Sequence, residues 1–157
     1  MNRITSIATV FLFLTTLVAC DSSTVFEENL RIKNATWERN EKAFFEFEIK
    51  DTAAIYDLYL NFRHGGDYPY QNIYLFIKSK SPSGKIAKDT AQMILANNKG
   101  RWMGKGIGDI FDYQFRFKQG PLFPEKGEYY FEIEQAMREE NLDKVTDIGI
   151  SVKKVNE

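Results

Sequence analysis

Cysteine and histidine are nearly missing from this chain: one of each in 157 residues, with four prolines and no long apolar run beyond position 20. Each scarcity excludes something. A lone thiol cannot close a disulfide within the chain, so the fold must rest on its own core, which a domain of this size can supply. A zinc site needs several Cys or His ligands, and none can be assembled in a workable cluster. A serine nucleophile needs a base, and the usual base is confined to His64. Nor does one sign of charge dominate. The 21 basic and 22 acidic side chains are mixed along the chain with a formal net charge of −1, which leaves no footprint for nucleic acid.

The one apolar run that is present occupies residues 4–18, behind Arg3, and ends in Leu17-Val18-Ala19-Cys20. A basic n-region, an apolar h-region and a small residue before the cut make a bacterial lipoprotein signal. The cysteine is required at that place because its thiolate takes a diacylglycerol as a thioether, after which the freed amine takes a further acyl chain such as palmitate. One acyl chain holds a protein to a membrane only marginally, and two or more hold it stably. A spanning helix would need about 20 consecutive apolar residues. This run is shorter, is interrupted by threonines, and is followed at once by Asp21-Ser22-Ser23-Thr24. The expected organisation is a signal over 1–19 that is removed, a lipidated Cys20 with a short tether over 20–28, and a single domain over 29–157. Its first partner is then the lipid bilayer, reached through acylated Cys20.

The chain is rich in aromatics, with 13 Phe and 8 Tyr, residues that favour strands. Val25 and Phe26 begin the first. Ala43, Phe45, Phe47 and Ile49 alternate with polar neighbours, apart from Phe44, and so do Tyr56, Leu58, Leu60 and Phe62. The strongest alternation is Phe111, Tyr113, Phe115 and Phe117 against Asp112, Gln114, Arg116 and Lys118. Residues 73–77 are apolar on both faces, which predicts a strand covered on both sides. Residues 89–95 alternate as a strand would, yet their Ala, Gln and Met are also helix formers. Tyr129, Phe131 and Ile133 predict a further strand, residues 136–141 a short helical turn, and Ile148, Ile150 and Val152 the last strand. Turns punctuate these runs at 64–70, Ser81-Pro82-Ser83-Gly84 and 120–127. Short strands joined by turns predict an all-β domain: an antiparallel β-sandwich of about eight strands, jelly-roll or immunoglobulin-like, in preference to a closed barrel.

Chemistry finds little support. His64 follows a strand and precedes Gly65-Gly66, where a solvated loop imidazole is expected. Asp109 and Asp112 lack calcium-ligand spacing. The glycine-rich stretch 100–109 fails as a phosphate loop, because Gly106 rather than Ser or Thr follows Lys105 and a strand rather than a helix comes next. Its glycines predict instead a bulged connection that folds Trp102 onto the sandwich. Glu46, Glu48 and Asp57 alternate outward opposite aromatic residues, as a solvated face does. No enzyme, cofactor or metal is expected.

Four segments in order behind the lipobox carry a resemblance: Asp67-Tyr68-Pro69-Tyr70-Gln71-Asn72, the stretch 100–109 with Arg101, Trp102 and Asp109, Phe123-Pro124, and Glu134-Gln135-Ala136-Met137-Arg138. Together, on through Asp147-Ile148-Gly149, they resemble the gliding-motility lipoprotein GldH family of the Bacteroidota. The resemblance implies an envelope lipoprotein needed for gliding, associated with the machinery that moves surface adhesins and with type IX secretion, and with envelope protein partners. It implies no enzymatic activity. No run of acidic residues comes directly after Cys20, and within that phylum this implies a periplasm-facing anchor. The candidate interaction surface is Asp67, Tyr68, Tyr70, Asn72, Arg101, Trp102 and Asp109, on two loops expected to adjoin. The alternative is a glycan-binding module using Tyr68, Tyr70 and Trp102 as an open aromatic rim. Exposed, coplanar rings would favour that alternative, and buried rings would disfavour it.

Overall fold

Alternation is what folds this chain. In the computed structural model, which describes residues 23–155, every long period-two run is an extended strand with its apolar face turned inward. The signal and Cys20 lie outside the described residues. The strands are β1 (Thr24–Arg31), β2 (Thr36–Glu38), β3 (Ala43–Ile49), β4 (Tyr56–Gly65), β5 (Asn72–Lys80), β6 (Ile86–Ile94), β7 (Lys105–Ile107), β8 (Ile110–Gly120), β9 (Gly127–Gln135), β10 (Asn141–Asp143) and β11 (Val145–Lys154).

A five-stranded sheet runs β1-β11-β4-β8-β7, a four-stranded sheet β3-β9-β5-β6, and a small pair joins β10 to β2. All the pairings are antiparallel. Set aside the three-residue strands β2, β7 and β10, and eight long strands remain. Counted in that way, the sheets run first-eighth-third-sixth and second-seventh-fourth-fifth. That is the strand order of a jelly roll, which decides between the two sandwich types the sequence leaves open.

The core lies between the two sheets. Leu58, Leu60 and Phe62 of β4 pair in register with Val152, Ile150 and Ile148 of β11, so all six share one face, and all are buried. Phe45, Phe47 and Ile49 of β3 and Ile73, Leu75 and Ile77 of β5 meet them from the other sheet. Burying a side chain of this size contributes roughly 1.5–3 kcal/mol. Rings knit the layers at one edge, where Phe26 stacks on Phe47 at 5.0 Å and Phe123 meets Tyr56 at 5.3 Å. Trp37 and Leu142, facing each other across the β2–β10 pair, are also fully buried. The Trp37 indole donates to the Glu41 carbonyl at 2.9 Å.

Four expectations need correction. Residues 136–141 do not form a helical turn. The buried Gln135 side chain holds that bend, donating to the Glu139 carbonyl and accepting from the Met137 amide, each at 2.9 Å, while Arg39 donates to the carbonyls of Met137 and Arg138. Strand β5 is covered on one face only, since Tyr74 and Phe76 are exposed. The rings of β8 are half-buried rather than buried, because among the described residues only β7 flanks the outer edge of β8, and only over residues 110–112. Asp57 is half-buried rather than solvated, and its Oδ2 accepts the Tyr59 hydroxyl at 3.1 Å. Residues 89–95, left open between strand and helix, belong mostly to β6.

Candidate functional site

The end of the five-stranded sheet where His64 pairs with both Val145 and Phe111 gathers the loops singled out from sequence. The loop after β4 and the stretch before β8 are joined backbone to backbone: the Gly66 amide donates to the Asp109 carbonyl at 2.6 Å, and the Leu95 amide to the Gln71 carbonyl at 2.8 Å. Trp102 bridges the two, its indole donating to the Gly66 carbonyl at 3.1 Å. The glycines have two separate reasons. Gly100 and Gly108 sit at φ of 75° and 63°, where a side chain is strained. Gly104 instead lies so close to β8 that a Cβ would come within 2.5 Å of the Asp112 carbonyl oxygen.

His64 is the hub of this end, and it is not the solvated imidazole expected from its glycine neighbours. It is buried among Phe62, Tyr68, Trp102 and Phe111, with the Trp102 ring centroid only 4.5 Å away. Its Nδ1 lies 2.8 Å from the Gly65 carbonyl, so that nitrogen carries the proton and donates. Nε2 has no partner. Burial pushes this imidazole below its ordinary value, so it stays neutral where a free histidine would charge.

The other candidates divide. Tyr68 is buried, its hydroxyl donating to the Asn72 carbonyl at 3.3 Å, and burial raises its phenol. Tyr70 is half-buried and donates to Glu139 Oε1 at 2.8 Å, which raises it too. Trp102 is half-buried. The ring of Tyr68 stands at 73° to Tyr70 and 55° to Trp102, so the three form an inward-packed plug and not an open, coplanar rim. Asp67, Arg101 and Asp109 are exposed. Asp67 pairs with Lys144 Nζ at 2.7 Å, which holds its carboxyl below the ordinary range. Asn72 opens β5 opposite Ile94.

Beside this plug, the outer face of the same sheet carries a groove that the sequence did not reveal. It has a volume of about 510 Å³ and is lined by Asn29, Asn61, Arg63, Gln114 and Asp147, with Met103, Gly104 and Lys105 at one end. Register explains it. One row across four strands reads Asn29, Gly149, Asn61, Gln114. The Asn61 amide donates to Asn29 Oδ1 at 3.1 Å and to Ser151 Oγ at 2.8 Å, and Gln114 donates to Asn61 Oδ1 at 2.9 Å and to Ser151 Oγ at 3.2 Å. The amides therefore join above Gly149, where a Cβ would come within 2.1 Å of Asn29 Oδ1. The next row reads Arg31, Asp147, Arg63, Asp112, Lys105, alternating in sign over all five strands. Arg63 binds Asp112 and lies 3.4 Å from Asp147, and its bond to Asp112 holds the guanidinium firmly charged.

Comparison with known proteins adds the last observation. A family profile described as GldH lipoprotein matches residues 24–152. A protein of Christiangramia forsetii named gliding motility lipoprotein GldH homolog is 32% identical over 155 residues, spanning 92% of this chain and 94% of that one. A protein of Flavobacterium johnsoniae named gliding motility lipoprotein GldH is 32% identical over 143 residues, spanning 87% and 88%. A solved chain from infectious bursal disease virus, Gt strain, covers 86% of this chain at 11% identity, but its TM-score of 0.21 carries no argument.

Proposed function

Since the chain belongs to the GldH lipoprotein family, we propose that it is a non-enzymatic adaptor, a structural or accessory part of the envelope machinery of gliding motility and type IX secretion. It is a lipid-anchored envelope protein. In this reading the acyl chains sit on Cys20, the domain faces the periplasm, and the loops carrying Asp67, Arg101 and Asp109 meet protein partners.

One observation supports the adaptor reading above the others. The chain enters the five-stranded sheet at Thr24, whose register neighbours are Lys153 and, through it, Asp57, whereas His64, Gly65, Phe111 and the loop plug lie at the other end of the same strands. An anchor at one end and a rigid loop cluster at the other is the geometry of a display scaffold, and loops held by such a scaffold commonly carry recognition. The single imidazole is enclosed by rings and, among the described residues, shares no hydrogen bond with a hydroxyl nucleophile. Supporting recognition over chemistry, that leaves the loop surface as the working part.

The test is complementation of a gliding relative from which the homologous gene has been deleted, scoring colony spreading and export of a type IX cargo. The wild-type chain restores both. Cys20→Ala restores neither and takes up no acyl probe, and Asp67→Ala folds and is lipidated but loses partner capture from membranes. Full restoration by Cys20→Ala, or failure of the wild-type chain in both assays, would overturn the proposal.

A further inference from the structure

We infer that the groove on the outer face of the five-stranded sheet is a carbohydrate-binding site for a neutral oligosaccharide, read by Asn29, Asn61 and Gln114. This goes beyond the adaptor role and does not depend on it. It also places the ligand on a different surface from the Tyr68–Trp102 plug, whose rings are turned inward.

The row is built rather than merely solvated. A face that meets only water needs no particular polar side chains, whereas here two asparagines, a glutamine and a serine from four strands are tied into one hydrogen-bonded ladder. A glycine at position 149 is what lets that ladder cross β11. The ladder uses both donors of Asn61 and those of Gln114, rests on the buried Ser151 hydroxyl, and leaves Gln114 Oε1 and the Asn29 amide nitrogen outside it. Acceptors and donors held side by side match the paired hydroxyls of a sugar ring. Groups already fixed lose little freedom when a ligand arrives.

Charge narrows the ligand further. The neighbouring row alternates in sign from Arg31 to Lys105, and Arg63 is held between two carboxylates. The row's three cations outnumber its two carboxylates by one, and Glu27, which also lines the groove, evens the count, so no net potential draws a polyanion or a cation. An extended peptide would instead seek a sheet edge, where its backbone finds free partners. The groove's volume of about 510 Å³ suits a short saccharide segment.

Titration of the full lipidated chain in detergent with cellotetraose, mannotetraose and chitotetraose, monitored by NMR of side-chain amide signals, tests this. At least one of the three binds with a dissociation constant below about 1 mM and moves the side-chain signals of Asn29, Asn61 and Gln114. Raising salt from about 50 to about 500 mM changes that affinity less than about two-fold, since no net charge is engaged. Gln114→Ala weakens it at least about ten-fold, or about 1.4 kcal/mol, while Tyr130→Ser on the opposite sheet leaves it unchanged. The inference is overturned if none of the three binds, if the shifted signals lie elsewhere, if Gln114→Ala binds as the wild type does, or if salt abolishes binding. The signal map on the wild-type chain decides even where Gln114→Ala lowers stability.

Discussion

Replacing Gly149 with alanine tests how closely β1 lies on β11. A Cβ there would meet Asn29 Oδ1 at 2.1 Å and the Glu28 carbonyl oxygen at 2.4 Å. The first contact is with a side chain that can swing away, at the cost of the Asn61–Asn29 bond. The second is with backbone, and ordinary contact requires that oxygen to recede by roughly 1 Å. A shift of that size stretches the β1–β11 hydrogen bonds around Glu28 beyond useful length, and each contributes about 0.5–1.5 kcal/mol net. Overpacking of this kind costs about 1–3 kcal/mol in total, offset by about 0.4–1 kcal/mol from the stiffer unfolded chain. We therefore expect Gly149→Ala to lose about 1–2 kcal/mol, a few degrees of melting temperature for a domain of this size. Adding Asn29→Ala should recover part of the loss and not all of it, because the Glu28 carbonyl remains in place. Chemical denaturation monitored by circular dichroism reads both values. A single variant within about 0.5 kcal/mol of wild type, or complete rescue by Asn29→Ala, would refute the backbone contact.

The remaining predictions concern the core and the buried imidazole. Phe62→Ala should cost about 3–5 kcal/mol and Arg116→Ala less than about 0.5, with Phe115→Ala between them because its ring is half-buried; equal denaturation midpoints for Phe62→Ala and Arg116→Ala would show the register of β4 or β8 to be wrong. His64 is held neutral in the fold, so its folded value lies below its unfolded value of about 6.5. Below that pH the unfolded chain takes up a proton that the native state refuses, and stability falls as pH drops, by at most about 1.4 kcal/mol per pH unit from this group. Urea midpoints between about pH 7.5 and 5.5 should show the fall in wild type and a smaller one in His64→Phe, and identical slopes would remove His64 as the cause.

Much of the fold was legible because a strand with one buried face writes its period into the sequence, as in Leu58, Leu60 and Phe62. What stayed hidden lacked a period or depended on distant partners. Strands β2 and β10 are three residues each, too short to alternate, so Trp37 gave no sign that it closes the core. Residues 136–141 have helix-forming composition, but Gln135 and Arg39 satisfy their backbone from outside the segment, and tertiary bonding overrides propensity. His64 read as a loop residue because two glycines come next, while pairing with Val145 and Phe111 carries β4 on through Gly65. At the candidate site, the adjoining loops were foreseeable from glycine and aromatic content, but the groove was not. Asn29, Asn61, Gln114 and Gly149 become neighbours only through three strand registers. The available hint was three neutral amides on polar strand faces otherwise rich in charge.

The placement of β1 also has a mechanical meaning. It is the first strand of the domain, eight residues long, and lies along β11 at the edge of the five-stranded sheet. At about 3.3 Å per residue it spans roughly 25 Å, from the end where the chain enters to the end bearing the loop plug. A pull between a lipid anchor ahead of Thr24 and a load held by those loops is directed along the strand. The β1–β11 bonds then resist together, in shear, instead of opening one after another like a zip. Pulling sideways on Thr24 would peel the same strand with far less force. A tethered domain with this layout transmits tension well along one axis and poorly across it.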